Sequence, residues 1–167
     1  MLSAPQKSTI QAIVNVFETG RVRGDYGSVT LIQGDTGKLT YGRSQTTLMS
    51  GNLFKLVDRY CRAEGSDTGN QLRPYLEPLR GLDDRLDGDV FFQNLLRAAA
   101  DDPVMRDVQD AFFDDAYWQP AADAADKHGI TTALGVGTVY DGFVHGNWAL
   151  IRSRTDQAIG TPAEAGE

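Results

Sequence analysis

The sequence predicts a mainly α-helical domain of the α+β class, with one small β-hairpin after the first helix. Three observations carry this. Apolar residues recur at i, i+3, i+4 and i+7 in one segment after another, the spacing that lays a stripe along a helix. Start and stop signals bracket those segments, with Ser3, Asp102 and Thr132 at openings and Gly20, Gly65 and Gly81 at ends. Only one stretch, "SVTLIQGDTGKLTYG" from Ser28 to Gly42, reads as two strands joined by an Asp-Gly turn.

The first helix opens at "SAPQ", where Ser3 and Gln6 have capping-box spacing and Pro5 suits the opening turn. Its predicted core stripe is Ile10, Ile13, Val14 and Phe17, and Gly20 supplies the stop. Glu18 falls on the shoulder of that stripe. There the negative end of the helix dipole and the apolar neighbours both disfavour an ionised side chain.

After the hairpin, Leu53, Leu56, Val57, Tyr60 and Cys61 predict the next helix, ending near Gly65, with Asn52 or Ser50 as its cap. Leu72, Tyr75, Leu76 and Leu79 predict another, closed by Gly81, and "DGDVFFQNLLRAAA" a third. "DDPVMRDVQDAFFDDAYW" follows, with Asp102 as cap and Pro103 at the first position; Pro120 is expected to kink or break it. A final helix opening at Thr131 or Thr132 carries Val136, Tyr140, Phe143 and Val144.

A chain of 167 residues, 41% hydrophobic, can bury one real core, so a single domain over residues 1–167 is expected. Net charge −7 with no basic cluster argues against nucleic acid. It describes an ordinary acidic surface that would also suit a cationic substrate. One cysteine, Cys61, permits no internal disulfide and sits at a core position. Two distant histidines without a nearby cysteine give no metal signal. His128, at a helix end before Gly129, reads as a surface residue. The amino terminus lacks a secretory signal and no segment is long enough to span a membrane. The expectation is a soluble chain that meets any extracellular target by non-classical export or by lysis.

Glu18 at a helix end and Asp35 in the following hairpin form a pair of the kind glycoside hydrolysis requires. One carboxyl protonates the leaving oxygen while the other, ionised, activates water. Helix ends and turns also collect acids for ordinary structural reasons, so the pair alone leaves both readings open. Resemblance adds to it. "GDTGKLTYG" is similar to the segment of the type "GDGRGYTFG" in the glycoside hydrolase family 46 chitosanases, which also follows a helix-terminal Glu. Far downstream, "DPVMRDVQDAFFDDAYW" resembles the family's long helix beginning Asp-Pro-Val, and "VYDGFVHG" its Tyr-Asp and His-Gly elements. The likeness spans roughly Phe17 to Gly146.

The resemblance implies a lysozyme-like fold and an inverting hydrolase of a β-1,4-linked amino-sugar polymer, without metal, nucleotide or other cofactor. Glu18 resembles the general acid, Asp35 the base, and Thr40 the residue that helps hold the attacking water. His145 resembles a cleft histidine and Asp141 a family acid that pairs with arginines. Arg43 and Gln45 are candidates for sugar contacts or plain solvated loop residues, and Tyr117 and Trp118 offer a sugar-stacking face or core. The sequence departs from the family at Asn52, where members place an Asp that reads a glucosamine amine. That departure keeps peptidoglycan open beside chitosan, as substrate of a muramidase such as a phage lysin or a secreted antibacterial effector with an immunity protein. A non-catalytic glycan-binding module is the rival from another class. "IGTPAEAGE" resembles a point from which family members continue into further helices. An exposed apolar face is therefore expected on the last helix, covered by self-association or by a second polypeptide.

Overall fold

The amino-terminal capping signal forms as read. In the computed structural model, which describes residues 2–32, 34–43 and 45–165, helix α1 runs Ala4–Thr19. The Ser3 side chain accepts the Gln6 N–H, and the Gln6 side chain accepts the Ser3 N–H at 2.8 Å. Gly20, at φ 71°, ends the helix by donating its N–H to the Val16 carbonyl, a left-handed conformation that suits glycine.

The predicted stripe on α1 holds only in part. Ile10 and Val14 are buried, whereas Ile13 is 51% and Phe17 82% exposed. Helix α1 packs on helix α8, Ala133–Val144, and Asn15, outside the predicted stripe, is also buried and donates to the Val22 carbonyl at 3.2 Å. Periodicity reports which side chains share a face, and a neighbouring helix decides how much of that face is covered.

The hairpin is a three-stranded antiparallel sheet of short strands: β1, Val29–Thr30; β2, Thr40–Tyr41; β3, Thr46–Thr47. Val29 pairs with Tyr41, and Tyr41 with Thr46. The predicted incoming strand is too long: Leu31 and Ile32 are exposed and outside it, and Gln33 lies outside the described residues. Strand β3 escaped the sequence because "GRSQTT" has no apolar alternation to announce it. Gly42 between β2 and β3 has φ 74°, and a Cβ there would lie 2.3 Å from Gln109 Oε1. Buried Gln109 accepts from Arg43 N–H and donates to the Tyr26 carbonyl, tying this turn to helix α6, Pro103–Phe113.

Helix α2, Asn52–Arg62, buries Leu53, Leu56, Val57, Tyr60 and Cys61 as the spacing predicts. Its cap differs. Gly51, at φ 73°, is the cap residue, Asn52 is the first helical residue, and Ser50 Oγ accepts the Asn52 N–H. A short helix α3, Gly69–Leu72, passes through a 3₁₀ turn into α4, Leu76–Arg80, and α5 runs Val90–Ala99. Asp102 Oδ1 accepts Val104 N–H at 2.8 Å at the start of α6. Pro120 does not break the chain here. Helix α6 widens into a π-helical turn, Asp114–Trp118, and Pro120 sits in the opening turn of α7, Gln119–Lys127. The wider turn and the first-turn position relieve the proline ring and its missing N–H.

Thr132 caps α8 through Gly135 N–H at 3.1 Å. Beyond the last predicted helix come α9, Trp148–Ile159, and α10, Pro162–Ala165. Helix α9 has no side-chain cap and buries none of its residues, so it carries no amphipathic signal. Its Arg152 reaches His128 Nε2 at 2.9 Å, which makes His128 half-buried rather than a plain surface residue.

The chain forms two compact units, one from Met1–Arg23 with Phe113–Glu167, the other from Gly24–Phe112. The first centres on Ile10, Val14, Phe113, Trp118, Val139 and Tyr140. Trp118, a sugar-stacking candidate, is therefore core. The second centres on fully buried Tyr41, Leu53, Leu56, Tyr60, Phe92 and Leu96. No helix among the described residues is long and apolar enough to cross a membrane.

Candidate active site

In the first unit, Glu18 stands in the last turn of α1 with its side chain 38% exposed. Asp141 lies in the last turn of α8 and His145, four residues on, is the residue that caps its end. His145 Nε2 is 2.9 Å from Glu18 Oε1, and its Nδ1 is 3.0 Å from the Asp141 carbonyl oxygen. The Asp141 carboxylate lies 3.5 Å from the same Nδ1. These contacts raise the His145 pKa above its ordinary value: the Asp141 carbonyl bond first, then the negative charge of Glu18; burial opposes them, and the Asp141 carboxylate adds a smaller push upward. Asp141, which the resemblance pairs with arginines, lies beside His145.

The trio closes one end of a groove of about 770 Å³ along α1 and α8. Ile10, Ile13, Phe17 and Leu134 supply its apolar wall. Leu134, on α8, is 83% exposed.

In the second unit, Asp35 is exposed in the loop between β1 and β2. Its Oδ1 accepts Gly37 N–H at 3.0 Å and its backbone N–H reaches the Ile32 carbonyl at 3.1 Å, so the side chain both turns the loop and faces solvent. The far side of the loop is anchored. Leu39 N–H donates to Asp87 Oδ1 at 3.0 Å, Lys38 Nζ lies 3.7 Å from the Asp87 carboxylate, and Met49 N–H donates to the Gly37 carbonyl at 3.2 Å. Thr40, buried on β2, donates its hydroxyl proton to the Lys38 carbonyl at 3.2 Å, which leaves its oxygen lone pairs as acceptors.

The remaining candidates scatter. Arg43 is not a solvated loop residue: its side chain is 11% exposed, bonded to Asp110 and held over the Tyr26 ring at 5.7 Å. Gln45 is exposed, and its amide donates to the Gly42 carbonyl at 2.9 Å. Asn52 accepts from Lys55 Nζ at 3.2 Å. Sequence reasoning missed Asp87 and Gln109, which anchor the loop and the turn. It also missed the Glu18–His145 contact, which joins residues far apart in the chain and left no local signal.

Comparison with known proteins gives three further findings. Residues 12–167 match the profile of glycosyl hydrolase family 46. A chitosanase of Bacillus subtilis (strain 168) is 30% identical over 175 residues, covering 98% of this chain. The chain spans 62% of that relative's length. Among solved structures, the family 46 chitosanase of Gynuella sunshinyii in complex with chitotetraose superposes with a TM-score of 0.82 at 26% identity, covering 100% of this chain and 72% of that one. Native chitosanase from Bacillus subtilis MY002 gives 0.81 at 26% identity, over 98% and 71%. The helical architecture with its small sheet is thus the lysozyme-like fold of these neighbours.

Proposed function

The chain belongs to glycosyl hydrolase family 46, and we propose that it hydrolyses chitosan, a β-1,4-linked glucosamine polymer, with inversion at the sugar carbon. The observation that carries this reading is the match to chitosanases along nearly the whole chain, one of them solved with chitotetraose. Glu18 is the general acid that protonates the glycosidic oxygen, and Asp35 the base that takes a proton from the attacking water. Both carboxylates are exposed, as groups that must meet a polymer have to be. The same water can donate its second proton to Thr40 Oγ1, whose own proton is committed to Lys38. A net charge of −7 draws a polycation toward the protein.

Asn52 keeps peptidoglycan as the competing substrate. Its side chain accepts from Lys55 in the first turn of α2 and carries no charge with which to select a free amine. The two substrates separate in one experiment. The protein is incubated with chitosan and with purified peptidoglycan sacculi, product ends are identified by mass spectrometry, and the anomeric configuration is read by NMR. Glucosamine oligomers with inverted ends support the proposal; muropeptide release with intact chitosan overturns it. Glu18→Gln and Asp35→Asn should each lower turnover by ~10²- to 10⁴-fold while leaving the fold intact. Wild-type rates in either variant would remove that residue from the mechanism.

A further inference from the structure

The geometry around His145 fixes which of its nitrogens titrates. Nδ1 faces the Asp141 carbonyl oxygen at 3.0 Å, and the Asp141 carboxylate is 3.5 Å away. A carbonyl oxygen can only accept, so Nδ1 carries a hydrogen in both the neutral and the charged imidazole. The proton that comes and goes is therefore the one on Nε2, and Nε2 lies 2.9 Å from Glu18 Oε1. If neither Nε2 nor Glu18 held a proton, a lone pair would face a carboxylate and the contact would repel. With one proton between them it is a charge-assisted hydrogen bond. The charged groups facing the ring are Glu18 on α1 and Asp141 on α8.

We propose that Glu18 and His145 hold one proton in common, and that His145 is the positioning residue that keeps the acid supplied where a lone glutamate would already be deprotonated. This rests on Glu18 being the general acid of the proposed reaction. In the resting pair the proton sits on Nε2. As the acid is used, the Nε2–H bond breaks, the Oε1–H bond forms and the imidazole becomes neutral. Glu18 passes that proton to the glycosidic oxygen as the C–O bond breaks, which leaves a carboxylate. The imidazole regains its proton from solvent, and Asp35 releases the one it took from the attacking water, so each turnover consumes one water and no net proton.

Helix α8 presents both ends of this arrangement. The carbonyl that orients the ring belongs to its last turn, and the negative end of the helix favours the imidazolium. The groove beside it leaves the ring 43% exposed, enough for exchange with bulk water.

The test combines a titration with a rate profile. The two histidine rings are followed by NMR across pH, with His128→Gln identifying the His145 signals. In the wild type, His145 should titrate above about 6.5 with the hydrogen of its neutral form on Nδ1. In Glu18→Gln its midpoint should fall. An unchanged midpoint, or the hydrogen on Nε2, overturns the shared proton whatever the activity. On chitosan, the alkaline limb of kcat/KM should follow the His145 midpoint in the wild type and in His145→Gln move down by about 1 pH unit or more, toward the ordinary glutamate range. A limb at the same pH in His145→Gln overturns the supply role. Absence of cleavage of any glycan by the wild type, with the titration as described, removes the acid reading and the supply role with it but leaves the paired proton standing.

Discussion

The unit Gly24–Phe112 and the unit made from the chain's two ends handle their apolar surface differently. In Gly24–Phe112, Leu39, Tyr41, Leu48, Leu53, Leu56, Tyr60 and Phe92 are all essentially inaccessible. Its buried carboxylate Asp102 is well satisfied: it accepts from the Tyr60 hydroxyl at 2.5 Å, Asp67 N–H at 2.9 Å and Val104 N–H at 2.8 Å. The other unit buries Ile10, Val14 and Tyr140 but leaves Ile13, Phe17 and Leu134 exposed along one groove. Its ion pair of Lys7 with Asp114, at 2.6 Å, is partly solvated. The apolar residues that Gly24–Phe112 does expose, such as Ile32, Val90 and Phe91, stand in a loop or in the first turn of α5.

The difference bears on the proposed chemistry. Asp35 sits on a loop pinned by backbone bonds and by Asp87, so its position is set by many small contacts. Glu18 sits at a helix end beside an open groove, and His145 is its ion-pair partner there. Orientation of the proposed acid thus rests on one contact with an imidazole, whereas that of the proposed base is spread over several bonds.

The contrast can be broken most sharply by truncation in the closed core. Leu53→Ala should cost about 2–5 kcal/mol in denaturant unfolding, through lost burial and a residual cavity. A cost under about 1 kcal/mol would show that this core is not tightly packed. Asp102→Asn should cost about 2 kcal/mol at neutral pH by weakening three bonds to a buried carboxylate. Burial pushes the Asp102 pKa up, but the bonds from Tyr60, Asp67 and Val104 outweigh it and hold the value below the ordinary carboxylate range. Its stabilisation is therefore full above the unfolded value of about 3.9 and fades as pH falls through the lower folded value. Urea titrations of both proteins at pH 7, 4 and 3 should show the gap closing only at the acidic end; a constant gap contradicts this.

In the other unit, Thr132→Ala should lower stability by ~1 kcal/mol through loss of the α8 cap, measured as a shift in thermal midpoint. The smallest effect belongs to Phe17→Ala, expected within about 0.5 kcal/mol because that ring is already in water. A cost comparable to that of Leu53→Ala would mean that the groove is covered in solution and the contrast between the units is false.

What the sequence determined by itself is what short-range physics determines. The capping box of Ser3 and Gln6, the caps at Asp102 and Thr132 and the glycine stop at Gly20 are hydrogen bonds made within a few residues, so they could be read from spacing. The stripe of α2 could be read for the same reason, since its whole apolar face is covered. The acid at the end of α1 and the acid in the following turn were legible as a pair of residue types. Only the tertiary structure decided the rest. It turned α1 so that Asn15 is buried and Phe17 is not, paired β3 onto β2, and carried the chain past Pro120 through a π turn. It also bent Arg43 onto Asp110 and set His145 against Glu18. Some of these join groups far apart in the chain or depend on which neighbour covers a face, and the strand β3 and the π turn, though local, carry no apolar periodicity that would announce them.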